Sequence, residues 1–126
     1  MTVARSAALL ASAAAGALSA LLGTYAHLFV VGSGRWPVGL LLALALTASV
    51  ALTVRALHPV AGAAGALVAG WLVVVALAMS RRSEGDLLLV ENGRGLAWLG
   101  LGVTVLIGAL LVPAVRRPEP EVRVAP

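Results

Sequence analysis

The sequence predicts an all-α integral membrane fold, four transmembrane helices in an antiparallel bundle. Three observations carry that prediction. Hydrophobic residues make up 61% of the 126 residues, where an ordinary soluble domain holds roughly 45–50%. Charged residues make up 11%, against about 25% in such a domain. The apolar residues gather in four stretches of 20 to 26 residues, and a helix needs roughly 20 to cross about 30 Å of hydrocarbon. A chain this short has too little interior to hide that much apolar side chain, so the surplus must face lipid. In lipid the backbone must satisfy its own hydrogen bonds, which makes each stretch a helix.

The first span covers residues 6–31. Its start, Arg5 followed by an Ala/Leu run and small residues at Ala17–Ala20, has the outline of a secretory signal. The apolar run continues through Leu21, Leu22 and Leu28–Val31, which is too long for the apolar region of a signal, so the span is read as a membrane helix. Gly32-Ser33-Gly34-Arg35-Trp36 is a turn signal, and Pro37 suits the first position of the second span, 37–57, where its missing N–H costs nothing. His58-Pro59 makes a tight second turn, with proline again opening the third span, 60–80. The connection 81–95 is the sizeable polar element between helices. Within it Leu87–Val90 followed by Asn92-Gly93 has the pattern of a small surface hairpin. The fourth span, 96–115, closes at Pro113, Arg116 and Arg117. Residues 1–116 therefore read as a single domain. Residues 117–126, with three prolines among alternating charges, read as a disordered tail. Leu28–Arg35 also lines up with Leu87–Arg94 at an offset of 59, a register compatible with two tandem helical hairpins.

All nine basic residues are arginine and give a net charge of +4. They are spread among loops and ends and form no dense patch, which excludes nucleic acid as a partner and suits interfacial anchoring. With both ends inside, five arginines (Arg5, Arg55, Arg116, Arg117, Arg123) face the cytoplasm and four (Arg35, Arg81, Arg82, Arg94) face out. The positive-inside rule then places both termini in the cytoplasm by a margin of one charge. Arginine without lysine, amid abundant Ala, Gly, Val and Leu, points to a bacterial plasma membrane. Tyr25, Trp36 and Trp98 fall on one side of the membrane, as an interfacial belt would.

Chemistry is sparse. There is no cysteine and there are two histidines, so disulfides and thiolate chemistry are excluded and no cofactor or metal is expected. All five acidic residues lie in loops or the tail, which argues against proton-coupled export through an intramembrane carboxylate. No convergent catalytic set is visible, so the protein is not expected to be an enzyme. His27 is the titratable side chain inside a predicted helix. It lies about 6 Å of helical rise from the loop and is expected to be hydrogen-bonded near the interface. Arg55 and His58, at the end of the second span, are expected to reach out to headgroups. Trp71 falls in mid-span, where it either packs against glycine faces or lines a ligand cavity.

Small residues recur at every fourth position: Ala8, Ser12, Gly16, Ala20 and Thr24 in the first helix, Gly62, Ala66 and Gly70 in the third, Gly100, Thr104 and Gly108 in the fourth. Such faces let helix backbones approach in lipid, and they are read as packing faces within the bundle. The partners expected are the lipid bilayer and either another membrane protein or a second copy of the chain. The leading function is a non-enzymatic accessory or structural subunit acting through helix and loop contacts. The alternative is a small oligomeric transporter or channel, with His27 and Trp71 along a path between copies.

Several short motifs resemble a family of uncharacterised four-helix membrane proteins of actinobacteria. They are Gly23-Thr24-Tyr25-Ala26-His27, Pro37-Val38-Gly39-Leu40, Gly70-Trp71-Leu72, Arg82-Ser83-Glu84-Gly85-Asp86 and the stretch Gly93–Leu99. The resemblance covers most of the chain. It implies the four-helix fold and no activity, and it directs attention to His27, Trp71, Glu84, Gly85 and Asp86. Ser83 stands where the family pattern often has proline, which leaves that loop less rigid.

Overall fold

The computed structural model describes residues 2–80 and 93–112. They form four helices in chain order, α1 (Val3–Ala26), α2 (Val38–Leu57), α3 (Ala63–Met79) and α4 (Gly93–Leu111). Three of these, α1, α2 and α4, are long and apolar enough to cross a membrane. The fourth, α3, is equally apolar but has 17 residues, about 25 Å of helix at 1.5 Å per residue. The polar connection with Glu84, Gly85, Asp86 and its expected hairpin, the closing Pro113 and the tail all lie outside the described residues.

The element boundaries correct the sequence reading in three places. The first helix runs from Val3, where Thr2 caps it by accepting a hydrogen bond from the Arg5 N–H at 3.3 Å, and it stops at Ala26. Residues 28–31 leave the helix because Val31 and Trp36 exchange backbone hydrogen bonds of 3.1 Å across a turn. Gly32 at φ +78° and Arg35 at φ +51° let the chain reverse there. Apolar composition alone does not separate a helical turn from an apolar ledge, so this stretch was extended as helix. The third helix opens at Ala63. Pro59 sits four residues upstream, and Gly62, at φ +95°, turns the chain into the helix. In the fourth, the helix begins at Gly93 and ends at Leu111, earlier than residues 96–115 at both ends.

Packing rests on close backbone approach. A Cβ on Gly16 would overlap the Leu67 carbonyl group, and a Cβ on Gly70 would overlap that of Ala13, so α1 and α3 meet backbone to backbone. The exchange is reciprocal, which is how small residues draw helices together without a hydrophobic driving force between them. Likewise a Cβ on Gly39 would strike the Ala26 carbonyl, seating the start of α2 against the end of α1. The Gly39 N–H, unpaired within its own helix, donates to the Phe29 carbonyl at 2.9 Å.

Burial follows one rule in both halves. The buried residues of α3 are Ala63, Leu67, Trp71, Val75 and Ala78. Each lies 55 positions after a buried residue of α1: Ala8, Ser12, Gly16, Ala20 and Gly23. The buried Gly95, Trp98, Gly102, Leu106 and Ala109 of α4 stand in the same relation to Leu40, Ala43, Thr47, Ala51 and Val54 of α2. The buried positions thus repeat at an interval of 55, while the match of Leu28–Arg35 to Leu87–Arg94 at 59 falls largely outside the described residues.

The inward face of α1 is made of small residues, and many large aliphatic side chains of all four helices point out. Leu10, Leu18, Leu42, Leu77, Leu96 and Ile107 are all more than half exposed. A water-soluble protein seldom leaves so large an apolar surface uncovered.

Candidate functional site

The centre of the molecule is an aromatic column. Trp71 of α3, Trp98 of α4 and His27, which caps α1, are all 0% exposed. The Trp98 indole lies between the other two. Its centroid is 5.5 Å from that of Trp71, tilted by 54°, and 6.4 Å from that of His27, stacked within 10° of parallel. Offset and tilted arrangements at these separations suit ring quadrupoles.

Glycines make the room. A Cβ on Gly102 would fall 2.6 Å from Cζ2 of Trp71, and a Cβ on Gly23 would overlap the six-membered ring of Trp98. Each tryptophan therefore covers a glycine on a neighbouring helix, Trp71 on α4 and Trp98 on α1.

The column is polar as well as aromatic. Five buried polar atoms have no hydrogen-bond partner among the described residues: Thr24 Oγ1, His27 Nδ1 and Nε2, Trp71 Nε1 and Trp98 Nε1. Elsewhere the buried hydroxyls are satisfied within their own helices. Ser12 donates to the Ala8 carbonyl at 2.7 Å, Ser19 to Gly16 at 2.9 Å and Thr47 to Ala43 at 3.0 Å. Leaving a buried polar group unpaired costs about 1–3 kcal/mol, so the column concentrates a local cost that aromatic packing must offset. Its inventory is donor-rich: two indole N–H groups, a hydroxyl and one imidazole. With a single titratable member it holds no acid–base pair.

Three expectations are corrected here. His27 is at the end of α1, yet it is buried and its ring nitrogens have no hydrogen-bond partner among the described residues. Trp98 is no part of an interfacial belt, since it is enclosed while Tyr25 and Trp36 are 63% and 69% exposed. Arg55 also departs from the reading that sent it to headgroups. Its guanidinium donates to the Ala109 carbonyl in the last turn of α4, a group that has no partner within that helix.

The small-residue faces divide. Ala8, Ser12, Gly16, Ala20 and Thr24 are all buried, and Gly70 meets Ala13. Ala66 is half-buried. Gly62 is a turn residue rather than a helix contact. Gly100 and Gly108 are exposed, with nothing within 4 Å of where a Cβ would stand. In α4 the packing glycine is Gly102, which no four-residue ladder singled out. Its signal was available only as a glycine four residues after Trp98 on the same helix face.

Among the described residues, no group of three or more His, Cys, Asp or Glu side chains is placed to hold a metal ion. No family model, no curated protein and no solved structure matches this chain.

Proposed function

We propose that this is a bacterial integral membrane protein whose four helices cross the bilayer in alternating directions, and that it works as a non-enzymatic accessory or structural subunit. Alternation is supported by three contacts at helix ends. Gly39 at the start of α2 meets Ala26 at the end of α1, Leu9 early in α1 lies beside Gly62 ahead of α3, and Arg55 late in α2 reaches Ala109 late in α4. Kinship with the actinobacterial four-helix family belongs to the same proposal and supplies no activity.

The observation that carries the contact function is the outer face of α4. Gly100, Thr104 and Gly108 form an exposed small-residue face with open space around it, and the Thr104 hydroxyl is already bonded to the Gly100 carbonyl at 2.8 Å. A neighbouring helix is the natural occupant of such a face in lipid. His27 and Trp71, the residues a transport path would use, are enclosed within one chain, which weighs toward contact and away from transport.

The test is capture of the tagged protein from its own membranes in mild detergent, with the mass and composition of the complex measured. A second polypeptide at fixed stoichiometry, or a defined homo-oligomer, that is lost in Gly100→Leu and Gly108→Leu supports the reading. A monomer whose mass those variants leave unchanged defeats it. Orientation is checked by labelling Ser83→Cys with an impermeant maleimide. Labelling in intact cells is the outcome for cytoplasmic termini, and labelling only after lysis reverses the orientation.

A further inference from the structure

The chain has five Phe, Tyr and Trp side chains, and the structure sorts them into two groups. Trp71 and Trp98 are enclosed in the column. Tyr25, Phe29 and Trp36 are 63%, 64% and 69% exposed, and all three lie within twelve residues at the junction of α1 and α2. At the opposite ends of these two helices, around Arg5 and His58, the described residues hold no Phe, Tyr or Trp.

The turn that carries the exposed rings pairs its backbone where it is apolar. The Phe29 N–H donates to the Ala26 carbonyl, and the Phe29 carbonyl accepts from the Gly39 N–H, both at 2.9 Å. Val31 and Trp36 satisfy each other in both directions at 3.1 Å. The pairing stops at the tip, where the Ser33 and Gly34 N–H groups have no hydrogen-bond partner among the described residues. A loop in water has no need of such pairing, because water supplies it. A loop at membrane depth does. The Trp36 ring is oriented to match. Its Nε1 is the atom nearest to where a Gly34 Cβ would stand, at 3.1 Å, so the polar edge of the indole faces the unpaired tip.

Helix lengths place this turn at a boundary. Within α1, Tyr25 lies twenty residues after Arg5, about 30 Å of rise, and α2 is 20 residues long. Both lengths equal the hydrocarbon thickness of a typical bilayer, about 30 Å. With α1 and α2 across the core, the aromatic turn falls at one headgroup layer and Arg5 at the other.

We infer that the α1–α2 turn is an interfacial anchor, and that its occupant is the lipid headgroup layer. Tyr25, Phe29 and Trp36 are immersed in that layer, and the Ser33-Gly34 tip stands in water. Aromatic belts ordinarily mark both interfaces, whereas the described residues of this chain form one at a single end. The inference rests on the membrane reading above and adds to it the surface that sets the molecule's depth. The rings need no headgroup charge, so zwitterionic lipid suffices.

The chain has no cysteine, so the full protein can carry one fluorophore at Phe29→Cys, at Ser33→Cys or at Leu18→Cys, the last an exposed site in the middle of α1. Each is reconstituted into phosphatidylcholine vesicles bearing a nitroxide at the headgroup, at a shallow acyl carbon or at a deep one. The label at 29 should be quenched several-fold more by the shallow nitroxide than the label at 33, which should answer to the headgroup nitroxide alone. Equal shallow quenching at 29 and 33 overturns the inference. So does a site at 29 that no nitroxide quenches in vesicles and that an impermeant or a permeant maleimide cannot reach in native membranes, since a protein partner then covers the rings. If Phe29→Cys alters helix content by circular dichroism, Val31→Cys, also exposed at the base of the turn, replaces it under the same criterion. Phe29→Ser with Trp36→Ser should change the ratio of deep to shallow quenching at 18, and an unchanged ratio overturns the depth-setting role. The label at 18 also separates the two levels. Quenching there by none of the nitroxides defeats the membrane reading itself, whereas deep quenching at 18 with an indifferent label at 29 defeats the anchor alone.

Discussion

The two helical pairs of this molecule share a register of burial and differ in what they bury. Where α1 and α2 place Gly16 and Ala43, α3 and α4 place Trp71 and Trp98, each 55 residues later. Where the first pair has Thr47, the second has Gly102, and Gly102 is what Trp71 covers. The rings of the second pair thus fill the core, Trp98 over Gly23 of the first pair and Trp71 over Gly102 of its own. Helices in lipid gain little from burying more apolar surface, so they gain from fit. A bulky ring over a glycine supplies that fit with many short contacts. A long polar link between the pairs also runs one way. Arg55 of the first caps the last turn of α4 in the second, while the position 55 residues after it is Leu110.

The contrast between the two pairs can be broken most directly at Trp98, the ring that reaches across to the first pair. Trp98→Ala should lose about 3–5 kcal/mol in reversible unfolding from mild detergent into dodecyl sulfate, while Tyr25→Ala, on the outside, should stay within about 0.5 kcal/mol. Equal losses for the two would show that the second pair is not what fills the core. Next come the glycines. Gly23→Ala and Gly102→Ala each force a Cβ into an indole and should lose about 1–3 kcal/mol. Gly100→Ala and Gly108→Ala, two and six residues from Gly102, meet open space and should leave the monomer's stability unchanged or slightly raised. If the order of these two pairs is reversed, the wrong face of α4 is inside.

Removing the link between the halves is a smaller perturbation. Arg55→Gln should cost between about 0.3 and 2 kcal/mol, the range for a cation at a helix C-terminus. The smallest effect sharpens the polar side of the column. The ring nitrogens of His27 have no partner among the described residues, so His27→Phe should be near neutral by the same unfolding measurement, within about 1 kcal/mol. A loss of several kcal/mol would reveal a hydrogen-bond partner that the packed chain does not show.

Much of the helical layout was legible from local composition. Runs such as Val38–Leu57 announce themselves because hydrophobicity summed over twenty contiguous residues is a property of the run, whatever it packs against. The turn at 32–36 was equally local, through the conformational freedom of Gly32. The end of α1 was not. Leu28–Val31 is as apolar as the helix before it, and its departure depends on a backbone pairing with Trp36 across the turn. The start of α3 was misplaced for a related reason. Pro59 is compatible with opening a helix, but the bend that does so is at Gly62, whose φ of +95° favours glycine.

The site was less legible than the spans. His27 and Trp71 stand out in the sequence as unusual side chains in apolar surroundings, yet Trp98 reads equally well as an interfacial anchor. Its role as the middle ring depends on Gly23, seventy-five residues away in the chain, leaving room for it.

The chain's composition was enough to settle that it carries four apolar helical stretches and no thiol. Each follows from counting residues along a line. The rotation of each helix about its axis was a different matter. These helices are apolar nearly all round, so polarity offers little preference for one face over another, and α4 carries glycine on both its inner and its outer side. Which glycine is buried was decided by where Trp71 had to go, because steric fit between residues distant in the chain exists only once the helices are side by side.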